Sequence, residues 1–144
     1  MSREPLRGRE SYRVWRDITT RWADNDAYGH VNNTVYYAWF DTAVNAWLIE
    51  QGLLAIEAGD PIGLVVETAC RYASPLGYPA PVEVGLAVEH IGKSSVRYRL
   101  GVFAKTASEA AAEGHFVHVY VGRESRRPVE LPASWRRKFE EIAS

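Results

Sequence analysis

Between Arg21 and Asp41 the chain reads RWADNDAYGHVNNTVYYAWFD. Two carboxylates, Asp24 and Asp26, stand close together, and Gly29, His30, Asn32 and Asn33 follow at once. A carboxylate on a turn can take a proton as a general base or attack a carbonyl as a nucleophile. The residues after it open a long apolar run. A helix starting there offers unpaired N–H groups and the positive end of its dipole. Donors of that kind stabilise charge that develops on a carbonyl oxygen. His30 is a candidate to orient a carboxylate or a water. Each residue also has a plainer role. Asp26 can be a turn former, Asp24 a partner for Arg21 or a closure of the turn, and His30 a packing residue.

Other chemistries fail on spacing. DNDAYG begins like a calcium loop, but position five is Tyr28 and position twelve is Val35, where a bidentate Glu is needed. His115 and His118 are three apart on a strand, so they face opposite sides, and a zinc site is not expected. No G-x-S-x-G elbow occurs. Cys70 sits in an apolar strand with only Arg71 beside it, the setting of a small buried hydrophobe. No metal is expected.

The elements that must position the segment follow from periodicity. The chain has 144 residues, 47% apolar and 24% charged, and reads as one domain. Residues 1–11 are expected as a flexible tail and 12–144 as the single domain. Residues 12–22 suggest a first strand. From Val35 to Ile49 only Asp41, Thr42 and Asn45 are polar. That pattern predicts a buried helix of about 18 residues, capped by Asn32 or Asn33 and stopped at Gly52. Asp41 and Asn45 share one stripe of it, where Asp41 serves either a ligand or the structure. Strands are expected over 62–73, 82–91, 95–104 and 115–122, with a hairpin turn at Ile91–Ser94 and a short helix after Pro132. One helix followed by sequential antiparallel strands indicates α+β, a sheet wrapped around one long buried helix.

The net charge of −1 argues against broad nucleic-acid binding. The longest apolar stretch, Val35 to Phe40, is too short to span a membrane. With one cysteine no internal disulfide can form. With no apolar leader at its start, the chain is expected in the cytoplasm.

Residues 21–41 resemble the signature of the 4-hydroxybenzoyl-CoA thioesterase-like family of hotdog-fold enzymes. The match is carried by Trp22, Asp24, Asp26, Gly29, His30, Val31, Asn32, Asn33 and Tyr36. The resemblance implies an acyl-CoA thioesterase that releases free acid and CoA. It implies Asp26 as the catalytic carboxylate, the N–H of Asn33 as the leading carbonyl donor, and Gly29 as the residue that lets the loop approach closely. The GHVNN form resembles the branch acting on CoA esters of fatty or aromatic acids. No cofactor is implied beyond the CoA carried by the substrate. The hairpin Gly92–Ser95 offers N–H groups, two hydroxyls and a Lys. By resemblance Lys93 contacts CoA, with Ser94 and Ser95 beside it; the plain reading is an ordinary polar hairpin tip. A basic C-terminal face at Arg123, Arg126, Arg127, Arg136, Arg137 and Lys138 is expected to be solvated. By fold analogy the apolar surface left on a monomer calls for a homodimer, or a tetramer built as a dimer of dimers. The alternative is a non-catalytic hotdog protein that binds acyl-CoA or acyl-carrier-protein thioesters.

Overall fold

A computed structural model of the protein describes residues 5–144. The strands are β1 (Val14–Ile18), β2 (Ile62–Tyr72), β3 (Val82–Ile91), β4 (Ser95–Ala104) and β5 (Ala112–Val121). They form one antiparallel sheet in the order β1-β3-β4-β5-β2. Helix α1 (Val35–Glu50) packs on its inner face, and α2 (Ala133–Glu141) closes one end. A sheet wrapped around a long helix is the hotdog arrangement, as expected.

The helix α1 buries Tyr36, Trp39, Phe40, Ala43, Val44, Trp47 and Leu48. Their three- and four-residue spacing makes one face. Ala38, Asp41, Thr42 and Ile49 are exposed in the protomer, so the helix is covered on one side and not all round. It has 16 residues, slightly fewer than expected. Gly52, at φ 75°, stops it, and its N–H donates to the carbonyl of Ile49. The expected side-chain cap is displaced. Thr34 holds the cap position without a capping bond, while the Asn32 Oδ1 accepts from the Thr34 N–H at 3.0 Å. Asn32 therefore turns the chain one step ahead of the helix.

One other expected boundary changes. Strand β5 begins at Ala112 instead of 115. A run of alanines carries little strand propensity, but Ala112 pairs with Tyr72 on one side and Val102 on the other. The tail expected over residues 1–11 is held against the outer face of the sheet over its described part. The Arg7 backbone N–H donates to Glu113 at 2.8 Å, and the Arg9 guanidinium lies over the Trp15 and Phe103 rings at 4.9 and 4.6 Å. Tyr12 follows, packed with Ala87, Phe103 and Ala110. It lies so close to Gly85 and Gly101 that a Cβ at either would meet its ring at 2.7 and 2.5 Å. Residues 1–4 lie outside the described part.

Candidate active site

The loop before α1 is built around two aspartates with different surroundings. Asp24 ends a 3-10 turn (Trp22–Asp24) and is 1% exposed. Its carboxylate accepts from the Arg21 backbone N–H (2.8 Å), Nε (3.0 Å) and Nη2 (2.8 Å). Its carbonyl accepts from the Asn32 N–H. Asp24 anchors the loop, and its oxygens are spent on that.

Asp26 opens the tip. Its N–H donates to the His30 carbonyl at 2.7 Å, and its own carbonyl accepts from Gly29 at 3.2 Å. Gly29 sits at φ 78°, the left-handed region in which a Cβ is costly. The Asp26 Oδ1 accepts from the N–H groups of Tyr28 (2.8 Å) and His30 (3.2 Å). Those bonds fix the carboxylate while Oδ2 has no hydrogen bond among the described residues.

An open cleft of about 340 Å³ forms where this loop meets the end of β2. Asp26, His30, Asn33, Tyr36, Tyr72 and Ser74 are among the residues lining it. The Tyr72 hydroxyl donates to the Asn33 carbonyl at 2.8 Å, and the Tyr36 and Tyr72 rings meet edge to face at 5.0 Å. Burial pushes the Tyr36 phenol up to about 12 and raises that of Tyr72 further, so both remain neutral donors at neutral pH. In the first turn the N–H groups of Thr34 and Val35 are taken by Asn32. The Asn33 N–H has no acceptor among the described residues. Asp26, with an unbonded carboxylate oxygen, and Asn33, with this N–H, both line the cleft.

Asp26, His30 and Asn33 come together in this cleft. Gly29 shapes the loop without lining it. Tyr72 went unremarked at the sequence level, although alternation along β2 places it on the inner face with Cys70 and Thr68. Lys93, Ser94 and Ser95 lie elsewhere. Tyr72 is level with Ala112 and Val102, whereas Ser95 pairs with Val119. Seven residues of β4 separate the two levels, about 23 Å at ~3.3 Å per residue. The carbonyls of Lys93 and Ser94 accept from Leu131 and Tyr120, which ties the hairpin to the C-terminal segment.

The remaining candidates resolve simply. The Asn45 Nδ2 donates to the Asp41 side chain at 2.9 Å on the exposed stripe. Burial pushes the Cys70 thiol up to about 11, which suits a packing residue. His115 pairs with Glu67 on the outer face at 2.7 Å, while His118 is 3% exposed on the inner face. Among the described residues no three His, Cys, Asp or Glu side chains are grouped to hold a metal ion. No helix there is long and apolar enough to cross a membrane.

The fold and the cleft define a hotdog protein with a carboxylate facing a helix start. The model of the thioesterase-like superfamily matches residues 20–139, and the chain belongs to that family. The PA5185 protein from Pseudomonas aeruginosa strain PAO1 is 50% identical, with TM-score 0.91 over 95% of this chain and 96% of that one. The PA2801 protein, a putative thioesterase from Pseudomonas aeruginosa, is 30% identical, with TM-score 0.80 over 86% and 95%. A thioesterase from Thermus thermophilus complexed with coenzyme A and Zn is 28% identical, with TM-score 0.75 over 92% and 96%. No match is found among curated proteins. Family membership supports thioester hydrolysis as the broad class of reaction.

Proposed function

We propose that the protein is an acyl-CoA thioesterase in which Asp26 is the catalytic carboxylate and the Asn33 N–H receives the thioester oxygen. The observation that carries this reading is the shared cleft. Asp26, whose Oδ2 is unbonded, and Asn33, whose N–H has no acceptor among the described residues, line the same space. Asp26 either removes a proton from the attacking water or attacks the carbonyl to form an anhydride that water then opens. Both routes put negative charge on the carbonyl oxygen, where the Asn33 N–H and the dipole of α1 stabilise it. The C–S bond then breaks, and the CoA thiolate leaves and takes up a proton. His30 lines the cleft as a residue to orient the water.

The reading includes a homodimer paired along β2. That strand is an edge of the sheet, and Leu64, Val65 and Val66 on it are 38, 49 and 59% exposed. An unpaired apolar edge is a surface that soluble proteins cover. Antiparallel pairing of two β2 edges brings opposite ends of the sheets together. The Lys93–Ser95 hairpin of one protomer then lies toward the cleft end of the other, where it can hold the CoA moiety.

The test is a panel of aliphatic and aromatic acyl-CoAs, with free thiol followed as the product. Asp26→Asn keeps an oxygen to accept from Tyr28 and His30, so its fold is expected to survive. Turnover is expected to fall about 10²- to 10⁴-fold, the usual weight of a positioned acid or base. An unchanged rate in Asp26→Asn would remove Asp26 from the mechanism.

A further inference from the structure

The outer face of the sheet, opposite α1, is only partly covered. Leu6, Tyr12 and Trp15 pack over Ala87 and Phe103. The uncovered remainder is a depression of about 480 Å³. Arg71 of β2, Arg97 and Arg99 of β4, His115 of β5 and Arg7 of the N-terminal segment converge on it. Register explains the convergence, because Arg99 lies opposite His115, and Arg71 opposite Glu113. Ala69, opposite His115 on the other side, keeps part of the floor low.

Several of these groups form ion pairs. Arg7 and Arg71 reach Glu113 at 3.2 and 2.9 Å, and Arg97 and His115 reach Glu67 at 3.4 and 2.7 Å. Cross-strand pairs of that kind are ordinary on a solvated sheet. Two observations go beyond them. Among the described residues four arginines and two glutamates, Glu89 and Glu113, line the depression, an excess of two positive charges. Counting Glu67 at its edge still leaves one. Arg99 is also short of acceptors. Its side chain is 11% exposed, and the nearest carboxylate among the described residues, Glu89, is 3.8 Å away. Its Nη1 donates to the Ser144 hydroxyl at 2.8 Å, and its Nη2 has no hydrogen-bond acceptor among the described residues. Guanidinium donors in folded proteins are nearly always satisfied, so the Nη2 group has room for a further acceptor.

We propose that this depression binds the phosphate groups of a ligand. A guanidinium presents paired N–H donors in a plane that matches a phosphate, and a phosphate is the acceptor Arg99 lacks. The space lies within the roughly 300–1,000 Å³ of small-ligand sites. It also backs onto the cleft, because Arg71 and Tyr72 are neighbours on β2 and face opposite sides. The phosphates belong either to the CoA part of the substrate or to a separate phosphorylated metabolite. The first source rests on the thioesterase reading, whereas the site itself does not.

Calorimetric titration of the full chain with inorganic pyrophosphate and adenosine 3′,5′-bisphosphate, with adenosine as control, tests it. Binding of both phosphorylated probes and not of adenosine is expected. Arg97→Gln combined with Arg99→Gln is expected to weaken that binding by about tenfold or more. Arg97→Gln alone, at an accessible side chain, keeps the test if the double variant does not fold. A several-fold loss is expected there. Absence of binding, or equal affinity in wild type and variants, overturns the site. So does a double variant that loses oligomer mass while wild type binds no probe, which gives the face to a second copy of the chain. With binding weakened, a higher KM for acyl-CoA at unchanged kcat in Arg97→Gln assigns the phosphates to CoA. An unchanged KM assigns them to a separate ligand. Probe binding in a chain that hydrolyses no thioester overturns the enzyme reading and leaves the site standing.

Discussion

Tyr72 donates a 2.8 Å hydrogen bond to the carbonyl of Asn33, joining the end of β2 to the turn that starts α1. The peptide that precedes α1 is thereby fixed by a strand far from it in the chain. Removing the hydroxyl leaves the Asn33 carbonyl to solvent and frees the turn. Tyr72→Phe is expected to lower stability by about 1 kcal/mol, the net worth of one such bond. It is also expected to lower kcat more than it raises KM, because the Asn33 N–H would be less well positioned for the transition state than for simple binding. Denaturant melts and steady-state kinetics on one acyl-CoA check both. Unchanged kinetics would separate this bond from the site.

His118 gives the protein an acid-sensitive element. Burial lowers its imidazole to about 4 from 6.5, so the folded state favours the neutral ring. The unfolded chain binds the proton more readily. The contribution is therefore complete above pH 6.5 and is lost as pH falls from 6.5 through 4. The full loss is about 3 kcal/mol. In His118→Phe, packed among Tyr98, Phe116 and Tyr120, the melting temperature is expected to depend less on pH in that window. A wild-type slope preserved in the variant would assign the acid response to other groups.

The close fit of Tyr12 over Gly101 predicts a coupled pair. Gly101→Ala places a methyl 2.5 Å from the Tyr12 ring, and overpacking of this kind costs about 1–3 kcal/mol. Tyr12→Ala opens a cavity and costs about 3 kcal/mol. The double variant is expected to be more stable than the sum implies, since the added methyl then enters vacated space. Additive losses in denaturant melts would show that the glycine is not there for the ring.

The β2 edge predicts a change of mass. Val66→Lys puts a charge on the most exposed of its three valine and leucine side chains, at the point where the β2–β5 register shifts. The protomer fold is expected to be unchanged within about 0.5 kcal/mol, as for surface substitutions generally. Light scattering is expected to show a smaller particle than wild type. An unaltered mass would place the interface elsewhere.

What could be read in the sequence was what local pattern controls. Val35–Leu48 is apolar on a helical period, so α1 was legible, and GKS between two alternating runs marked the hairpin. Asp26, His30 and Asn33 come together largely because the loop that carries them leads directly into α1. The contacts of Tyr72 and Arg99 were not legible. Each side chain makes its contact with a residue outside the sheet and distant in the chain, 39 positions away for Tyr72 and Asn33 and 45 for Arg99 and Ser144. The packing of Leu6 beside Tyr12 and Trp15 was not legible either, because these side chains find their partners only on a finished sheet.

That N-terminal segment sets an order of assembly. Arg7 contacts Glu113, 106 positions later, and Tyr12 rests on glycines of β3 and β4. During synthesis Arg7 leaves the ribosome 106 residues ahead of Glu113. Contacts so distant in sequence form late because their loop-closure entropy must be met first. The outer layer therefore closes only after β3, β4 and β5 have been made, and until then the faces of β3 and β4 are open to chaperones and to neighbouring chains.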